Sequence, residues 1–394
     1  MTPQARVQAA IDLLDEIVHA ARDNGPAADT LIARYFKTRR YAGAKDRRAV
    51  RELVYAAIRR AGERPGTGRA AMLALADADP QVAALFDGTP HAPTRISAKE
   101  PRAKPGVAPD WLARKLGEAL GADQLASLLD RAPLDLRVNR LKATREDVLA
   151  MLPEAVPTPL SPDGVRMPDG ARLETHQAWT DGWIEVQDEG SQLVAAGCGA
   201  EPGMRIVDLC AGAGGKTLAM AAAMRNSGVI VASDTDRGRL QQLAPRAERA
   251  GVTIVDERLL DPQREGDALV ALRGSVDLVV VDAPCSGTGT WRRNPEARWR
   301  LTPARLERLT SLQARLLDLA ATLVKPGGHV VHIVCSLLDE EGADQAGAFL
   351  NRHPGWRSDP LTGSAGAAHG PGRRLTPASH GTDGFFFARM AAPC

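Results

Sequence analysis

Two apolar runs, Val276-Asp-Leu-Val-Val-Val-Asp282 and His329-Val-Val-His-Ile-Val334, set the tightest limit on how this chain can fold. Both are short, rich in valine and bounded by Gly and Pro, the pattern of strands covered on both faces in a parallel sheet. Each leads into a cysteine: Asp282-Ala-Pro-Cys285-Ser286-Gly287 after the first run, Cys335-Ser336 after the second. Ligands of such sheets bind beyond the carboxyl ends of the strands. If the two strands are neighbours, both thiols belong in that crevice. The chain has only five cysteines in 394 residues, so two of them meeting there calls for a chemical reason.

The same alternation extends on both sides. From Gln187 onward the pattern predicts strands over Arg205–Leu209, Gly228–Asp234 and Val252–Asp256 before the two cysteine-tipped ones. Helices are expected from Thr217, over Asp236–Ala250, Pro303–Leu323 and Asp339–Asn351, with a weaker strand at Gly384–Arg389. Strands alternating with helices make an α/β, doubly wound, mostly parallel sheet of Rossmann-like type over 187–394. Residues 1–88 read instead as an all-helical bundle: Val7, Ile11, Leu14, Val18 and Ala21 recur at helical spacing, as do Val50, Leu53, Val54, Ala57 and Ile58. The stretch 89–110 is rich in Pro, Gly and basic residues and reads as a linker. Residues 111–186 read as a small α+β segment without chemistry of its own, with a capping box at Thr144 and Asp147.

Several function classes drop out. The cysteines (Cys198, Cys210, Cys285, Cys335, Cys394) form no C-x-x-C pair and no zinc spacing, so no metal is expected. An odd, sparse set without a secretory leader suits a reducing cytoplasm. No run approaches the roughly 20 apolar residues of a membrane span. With 50 Lys and Arg against 48 Asp and Glu, affinity for nucleic acid must come from local patches.

The first strand of the α/β region ends in Asp208-Leu-Cys-Ala-Gly-Ala-Gly-Gly-Lys-Thr217. A Walker loop would fit Gly215-Lys216-Thr217, but its first glycine falls on Cys210; the G-x-G-x-x-G spacing is absent too. What remains is close approach of a helix N-terminus to some ligand. Asp234 closes the second strand, where a carboxylate accepts ribose hydroxyls; Asp256 is expected to close the third and Asp282 the fourth. Four acids at strand ends, Asp208 included, repel phosphate but suit a ligand with a ribose, an adenine and a cationic centre. S-adenosylmethionine has that charge pattern. A single such aspartate can equally be a helix cap.

Buried cysteine is ordinarily a small hydrophobe, which accounts for Cys198 and Cys210. It does not account for Cys285, which lies in the polar loop Pro284-Cys-Ser-Gly-Thr-Gly289. One reaction needs a thiol beside a methyl donor: methylation of a pyrimidine at carbon 5. A thiolate adding at carbon 6 makes the ring an enamine whose carbon 5 is nucleophilic. A second thiol can then help as base or in release, and an acid such as Asp282 can stabilise the adduct at ring nitrogen 3.

Four stretches, Asp208-Leu-Cys-Ala-Gly-Ala-Gly-Gly-Lys-Thr, Asp282-Ala-Pro-Cys-Ser-Gly-Thr-Gly, Cys335-Ser-Leu-Leu-Asp-Glu-Glu and Thr382-Asp-Gly-Phe-Phe-Phe-Ala, resemble the Nol/Nop/Sun RNA cytosine-5 methyltransferases. The bacterial 16S ribosomal RNA branch, the Sun or Fmu proteins, is the most similar. The resemblance implies Cys335 as nucleophile, Cys285 in product release and Lys216 near the target base. It implies cofactor contacts from Cys210, Ala211, Gly212, Ala213, Gly214, Gly215 and Lys216, and from Asp234, Asp256 and Asp282. It also implies a NusB-like RNA-binding domain at the N-terminus, with the protein a monomer acting on RNA. Two departures stand out: Gly212-Ala213 where relatives have Ala-Pro, and Ile333-Val334 where they often have Ala-Thr. Arg39, Arg40, Arg47 and Arg48 form a basic run suited to phosphate, or to a solvated helix face. Trp291-Arg-Arg-Asn-Pro-Glu-Ala-Arg-Trp-Arg300, with Arg292 and Arg293, mixes arginine and tryptophan as RNA-contacting loops do. Transfer RNA as substrate, another methylated position, or a non-catalytic ribosome-assembly factor with a relict cofactor site are the competing readings.

Overall fold

The computed structural model describes residues 1–22, 25–173, 175–359 and 365–394. The chain divides into two compact units, and the division is discontinuous in sequence. One holds Met1–Arg131 together with Ser286–Pro303; the other holds Ala132–Cys285 and Ala304–Cys394.

The first unit is helical, as its periodicity predicts, with helices Pro3–Arg22, Ala28–Thr38, Ala44–Arg60, Gly68–Ala76 and Asp110–Leu120. Leu13, Leu14, Ile17, Ile58, Met72 and Leu73 are fully buried at its centre. Gly68 is required where the fourth helix begins. A Cβ there would lie 2.3 Å from the Ile11 carbonyl and 2.5 Å from the Asp15 nitrogen, and Asp15 Oδ1 accepts the Gly68 N–H at 2.6 Å.

Residues 89–110 are not the free linker their composition suggests. Ala103 donates to the Ala70 carbonyl at 3.0 Å, Gly62 to Lys104 at 3.0 Å and Gly106 to Arg60 at 3.2 Å. Arg69 gathers the segment further through Glu100 and the Thr94 carbonyl. These bonds tie the stretch to the helical unit, which continues to Arg131 and takes in the helix from Asp110.

The arginine–tryptophan segment also departs from expectation. Trp291 is fully buried and Trp299 is 4% exposed, so neither presents a face for a base to stack on. Arg298 is fully buried, donating to the carbonyls of Ile58 (2.6 Å), Arg59 (3.2 Å) and Ala61 (2.8 Å). These are the orphan carbonyls at the end of the helix Ala44–Arg60, where a cation also meets the negative end of the dipole. Burial pulls the Arg298 guanidinium down to about 9, which leaves it charged at neutral pH. Glu296 does the converse job, accepting the first N–H of the helix Ala28–Thr38 at 3.0 Å. Arg300 donates to Gly25 and Pro26, and Trp299 Nε1 to Ala61. Arg292, 8% exposed, and the half-buried Arg293 lie in this same packed segment. The clamp within the helical unit is made by Glu296, Arg298, Trp299 and Arg300.

The second unit contains two sheets. Strands β1 (Leu134–Val138), β2 (Val156–Pro157), β3 (Gly164–Met167) and β4 (Ile184–Val186) form a small antiparallel sheet in the order β2-β3-β1-β4. It packs on the helix Arg145–Met151 over Leu136, Val138, Val148, Val165 and Ile184. The Thr144–Asp147 capping box forms as the sequence predicts. The large sheet comprises β5 (Arg205–Asp208), β6 (Val229–Asp234), β7 (Val255–Leu259), β8 (Val276–Asp282), β9 (Val324–Val334), β10 (Arg357–Asp359), β11 (Ala367–His369), β12 (Gly372–Leu375) and β13 (Phe385–Ala391). Its order is β11-β12-β13-β9-β8-β5-β6-β7, with β10 on β13. The run from β7 to β9 is parallel; the remainder extends it antiparallel.

The two cysteine-tipped strands are neighbours. Asp282 of β8 pairs with Ile333 of β9, so the chain leaves both strands at the same carboxyl edge. Leu278 through Val281 are essentially inaccessible to solvent, as a doubly covered strand requires. The third strand lies further along than expected: β7 starts at Val255, and Asp256 pairs with Val231 near its beginning.

Candidate active site

After β5 the chain makes a tight loop before the helix Gly215–Ala223. Gly214, the N-cap, has φ of +83°, and a Cβ on it would come within 2.1 Å of Leu243 Cδ1. Left-handed backbone and close packing together make glycine the fitting residue there. Gly212 is also left-handed, at φ of +57°. Its N–H donates to Asp234 Oδ2 at 2.8 Å, while Asp234 Oδ1 takes the Asp236 N–H at 2.7 Å. The carboxylate that ends β6 thereby fastens the loop that ends β5. On the other side Arg246 donates to the Ala213 carbonyl at 2.5 Å and to Glu185 of β4 at 2.8 Å, tying the small sheet to the loop. A segment that reads as chemically silent thus helps to hold the candidate cofactor site.

The acids divide into different roles. Asp208 is 1% exposed and accepts the Thr217 hydroxyl at 2.6 Å. Burial raises its carboxyl to about 7. It fastens the helix start from a buried position. Asp256 is half-exposed and paired with Arg258 at 3.0 Å. It sits three residues before the carboxyl end of β7, about 10 Å at the usual strand rise, so it does not close that strand as expected. The acid just beyond that end is Asp261, in the turn that follows Leu260, whose N–H donates to the Asp234 carbonyl at 2.9 Å. The misplaced strand boundary hid Asp261 from the sequence reading.

At the carboxyl edge of β8 and β9, Cys285 Sγ and Cys335 Sγ are 3.4 Å apart. Lys216 Nζ donates to Asp282 Oδ2 at 2.6 Å. Burial works to lower the Lys216 ammonium, but the charge and hydrogen bond of Asp282 outweigh it, with Cys335 and Asp208 adding to the pull. The group is held above the ordinary lysine value. Among the other sulfurs near the sheet, burial drives Cys198 up to about 12 and Cys210 well above its usual value, so both stay protonated. A buried network stands behind the reactive pair. Gln313 of the helix Pro303–Leu323 donates to the Pro284 carbonyl at 2.9 Å and to Glu341 Oε1 at 3.1 Å. His332, which burial lowers to about 4 and so keeps neutral, bonds the Glu341 carbonyl through Nε2 at 2.8 Å. The one signal for Gln313 in the sequence is a polar residue on the stripe Leu306, Leu316, Leu317, Ala320.

In the helical unit, Arg40, Arg47 and Arg48 are exposed around the turn between the helices Ala28–Thr38 and Ala44–Arg60. Arg39 is half-buried, stacked 3.6 Å from the centre of the Tyr35 ring. Among the described residues no cluster of His, Cys, Asp and Glu could hold a metal ion, and no helix is long and apolar enough to cross a membrane.

The fit to a sulfonium cofactor can be judged from these donors. A side-chain-poor loop opens a helix N-terminus, and carboxylates at Asp234 and Asp282 face the same edge. That set suits a cation with a ribose and does not suit a polyphosphate.

Comparison with known proteins agrees. Residues 199–391 match the family model described as 16S rRNA methyltransferase RsmB/F, and residues 108–174 match that of the ferredoxin-like domain of RsmF/B-like methyltransferases. A probable ribosomal RNA small subunit methyltransferase B of Synechocystis is 35% identical over 298 residues, and the ribosomal RNA small subunit methyltransferase B of Salmonella arizonae 33% over 294. Each match takes in 72% of this chain and 66% of the relative's length. Among solved structures, PH0851 superposes with a TM-score of 0.80 at 26% identity, covering 99% of each chain. A methyltransferase homologue from Pyrococcus horikoshii gives 0.63 at 26%, covering 72% of this chain and 94% of that one.

Proposed function

Because the chain belongs to the 16S rRNA methyltransferase RsmB/F family, we propose that it methylates carbon 5 of a cytidine in RNA, with 16S ribosomal RNA as the substrate. The observation that carries this is the contact of two thiols, 3.4 Å apart, beside a Lys216–Asp282 ion pair. Neither a dehydrogenase nor a simple RNA-binding protein needs that arrangement.

S-adenosylmethionine, when bound, supplies an electrophilic methyl group on a cationic sulfur. The loop Cys210–Lys216 with Asp234 and Asp282 would hold it. Cys335 adds through its sulfur to carbon 6 of the base, giving up its proton as the bond forms. The electron pair of the 5,6 double bond moves to make carbon 5 nucleophilic, and the Lys216–Asp282 pair delivers and holds a proton at nitrogen 3. Once carbon 5 is methylated, Cys285 takes the proton that carbon 5 must lose. The electron pair of the carbon 5–hydrogen bond re-forms the 5,6 double bond, the carbon 6–sulfur bond breaks with its electrons returning to Cys335, and nitrogen 3 gives its proton back to the Lys216–Asp282 pair. Carbon 6 is reachable only in an unstacked base, so the target is a single-stranded or flipped cytidine. Arg39, Arg40, Arg47 and Arg48 would contribute phosphate contacts.

The test uses two variants. Cys285→Ala incubated with 16S RNA and cofactor should accumulate a protein–RNA adduct that survives denaturing electrophoresis. Cys335→Ala should bind the cofactor and make no 5-methylcytidine. An adduct formed by Cys335→Ala, or labelling of transfer RNA in preference to 16S RNA, would overturn the assignment.

A further inference from the structure

The helix Pro303–Leu323 buries one polar side chain among its leucines, and that side chain bridges the two loops that carry the thiols. Gln313 is fully buried. A buried amide costs free energy wherever a polar atom goes unmatched, as Gln313 Oε1 does here, so its placement rests on the other end of the group. Here its NH₂ group offers two donors to two acceptors, the Pro284 carbonyl at 2.9 Å and Glu341 Oε1 at 3.1 Å. Two facing acceptors also fix which end of the amide points at them, since the carbonyl end would repel both.

The position of these partners gives the bridge its meaning. Pro284 immediately precedes Cys285. Glu341 lies in the turn after Cys335, and its own carbonyl is held by His332 of β9 at 2.8 Å. Pairing between β8 and β9 ends at Asp282 and Ile333, with one further bond from the Ala283 N–H to the Ile333 carbonyl at 2.9 Å. Beyond that point the sheet no longer dictates the separation of the two sulfurs, and Gly287, at φ of +70°, lets the chain turn away directly after Cys285. We propose that Gln313 is a positioning residue that holds the Cys285 loop against the Cys335 loop, so that Cys285 stands where it can serve the adduct formed on Cys335. The proposal rests on the reaction assigned above, and its test includes a readout independent of that reaction. A misplacement of about 1 Å is enough to slow such a step substantially.

The test uses full-length protein in a Cys394→Ser background. Gln313→Met keeps the length of the side chain and removes both donors. Without RNA, the rate at which diamide oxidises Cys285 and Cys335 to a disulfide, followed by peptide mapping, reports their separation. Gln313→Met should slow it about tenfold, the loss of the hydrogen bond that holds the Pro284 carbonyl, expressed as a rate. With RNA and cofactor, Gln313→Met should accumulate covalent adduct while single-turnover methyl transfer falls less. Gln313→Glu guards against a variant that merely fails to fold. Its buried carboxyl, beside Glu341, is pushed toward the protonated form, and only that form donates. Its oxidation rate relative to the parent should therefore recover as pH falls from about 8 to 6. A folded Gln313→Met that oxidises at the parental rate overturns the proposal, as does adduct accumulation without slower oxidation. Slow oxidation without adduct keeps the positioning role and counts against Cys285 in release.

Discussion

Replacing Arg298 by methionine separates two roles for the segment Trp291–Arg300. The substitution roughly conserves volume, so its cost comes from the carbonyls and the helix end. Hydrogen bonds from a charged donor are worth about 1.5–3 kcal/mol each. The Ile58 carbonyl keeps the Ala61 N–H and the Ala61 carbonyl keeps Trp299 Nε1, so the principal losses are the donors to Arg59 and Pro295. A cation at a partly buried helix C-terminus adds about 1–2 kcal/mol. Relief from burying a charge offsets part of this. The balance is about 3 kcal/mol, more than a hundredfold in the unfolding equilibrium of the helical unit. Urea unfolding followed by tryptophan fluorescence reads it directly, because Trp291 and Trp299 are buried in the same segment. RNA affinity, measured under conditions where the variant is folded, and its dependence on salt should not change. Coincident unfolding curves with weakened RNA binding would refute the reasoning and restore the segment as an RNA contact.

Three further outcomes are expected. Gly214→Ala should weaken S-adenosylmethionine binding by about tenfold or more in calorimetry, since a Cβ at φ of +83° costs about 1–2 kcal/mol and must also displace Leu243. Arg40→Glu with Arg48→Glu should lower RNA affinity and reduce the slope of log affinity against log salt by about one per arginine, without moving the melting temperature. His332 is neutral in the fold down to about 4, whereas the unfolded imidazole protonates below about 6.5. The unfolded chain therefore binds the extra proton between those values, and stability falls as pH drops through that window. His332→Gln should flatten this part of the pH–stability curve, and an unchanged curve would show that His332 does not supply it.

How much of this was legible in the sequence depended on whether the local pattern and the partner lay close together. Strand β8 and the helix Pro303–Leu323 have the bounds expected of them, because an unbroken apolar run and a proline-started amphipathic stretch are set by their own residues. Strand β7 slipped by three residues: it is an edge strand with polar side chains, and the apolar Val252-Thr-Ile that precedes it looked the better strand. Arg298 could not be read correctly at all. A guanidinium that caps a helix 240 residues away in sequence has the same local signature as one that meets phosphate. The thiol pair was legible because each cysteine follows its strand directly and the strands are adjacent. The bridge behind them was not, since Gln313, Pro284 and Glu341 meet only after folding.

The clamp supplied by Ser286–Pro303 sets a timetable for biogenesis. Arg131 leaves the ribosome long before Trp299 does, and at 5–20 residues per second the gap is roughly ten to thirty seconds. Through that interval the carbonyls of Arg59 and Ala61 lack the donors that Arg298 and Trp299 bring, and the pocket later filled by Trp299 is open to water. The packing of the N-terminal unit is therefore completed only once the segment after the fourth parallel strand has joined it.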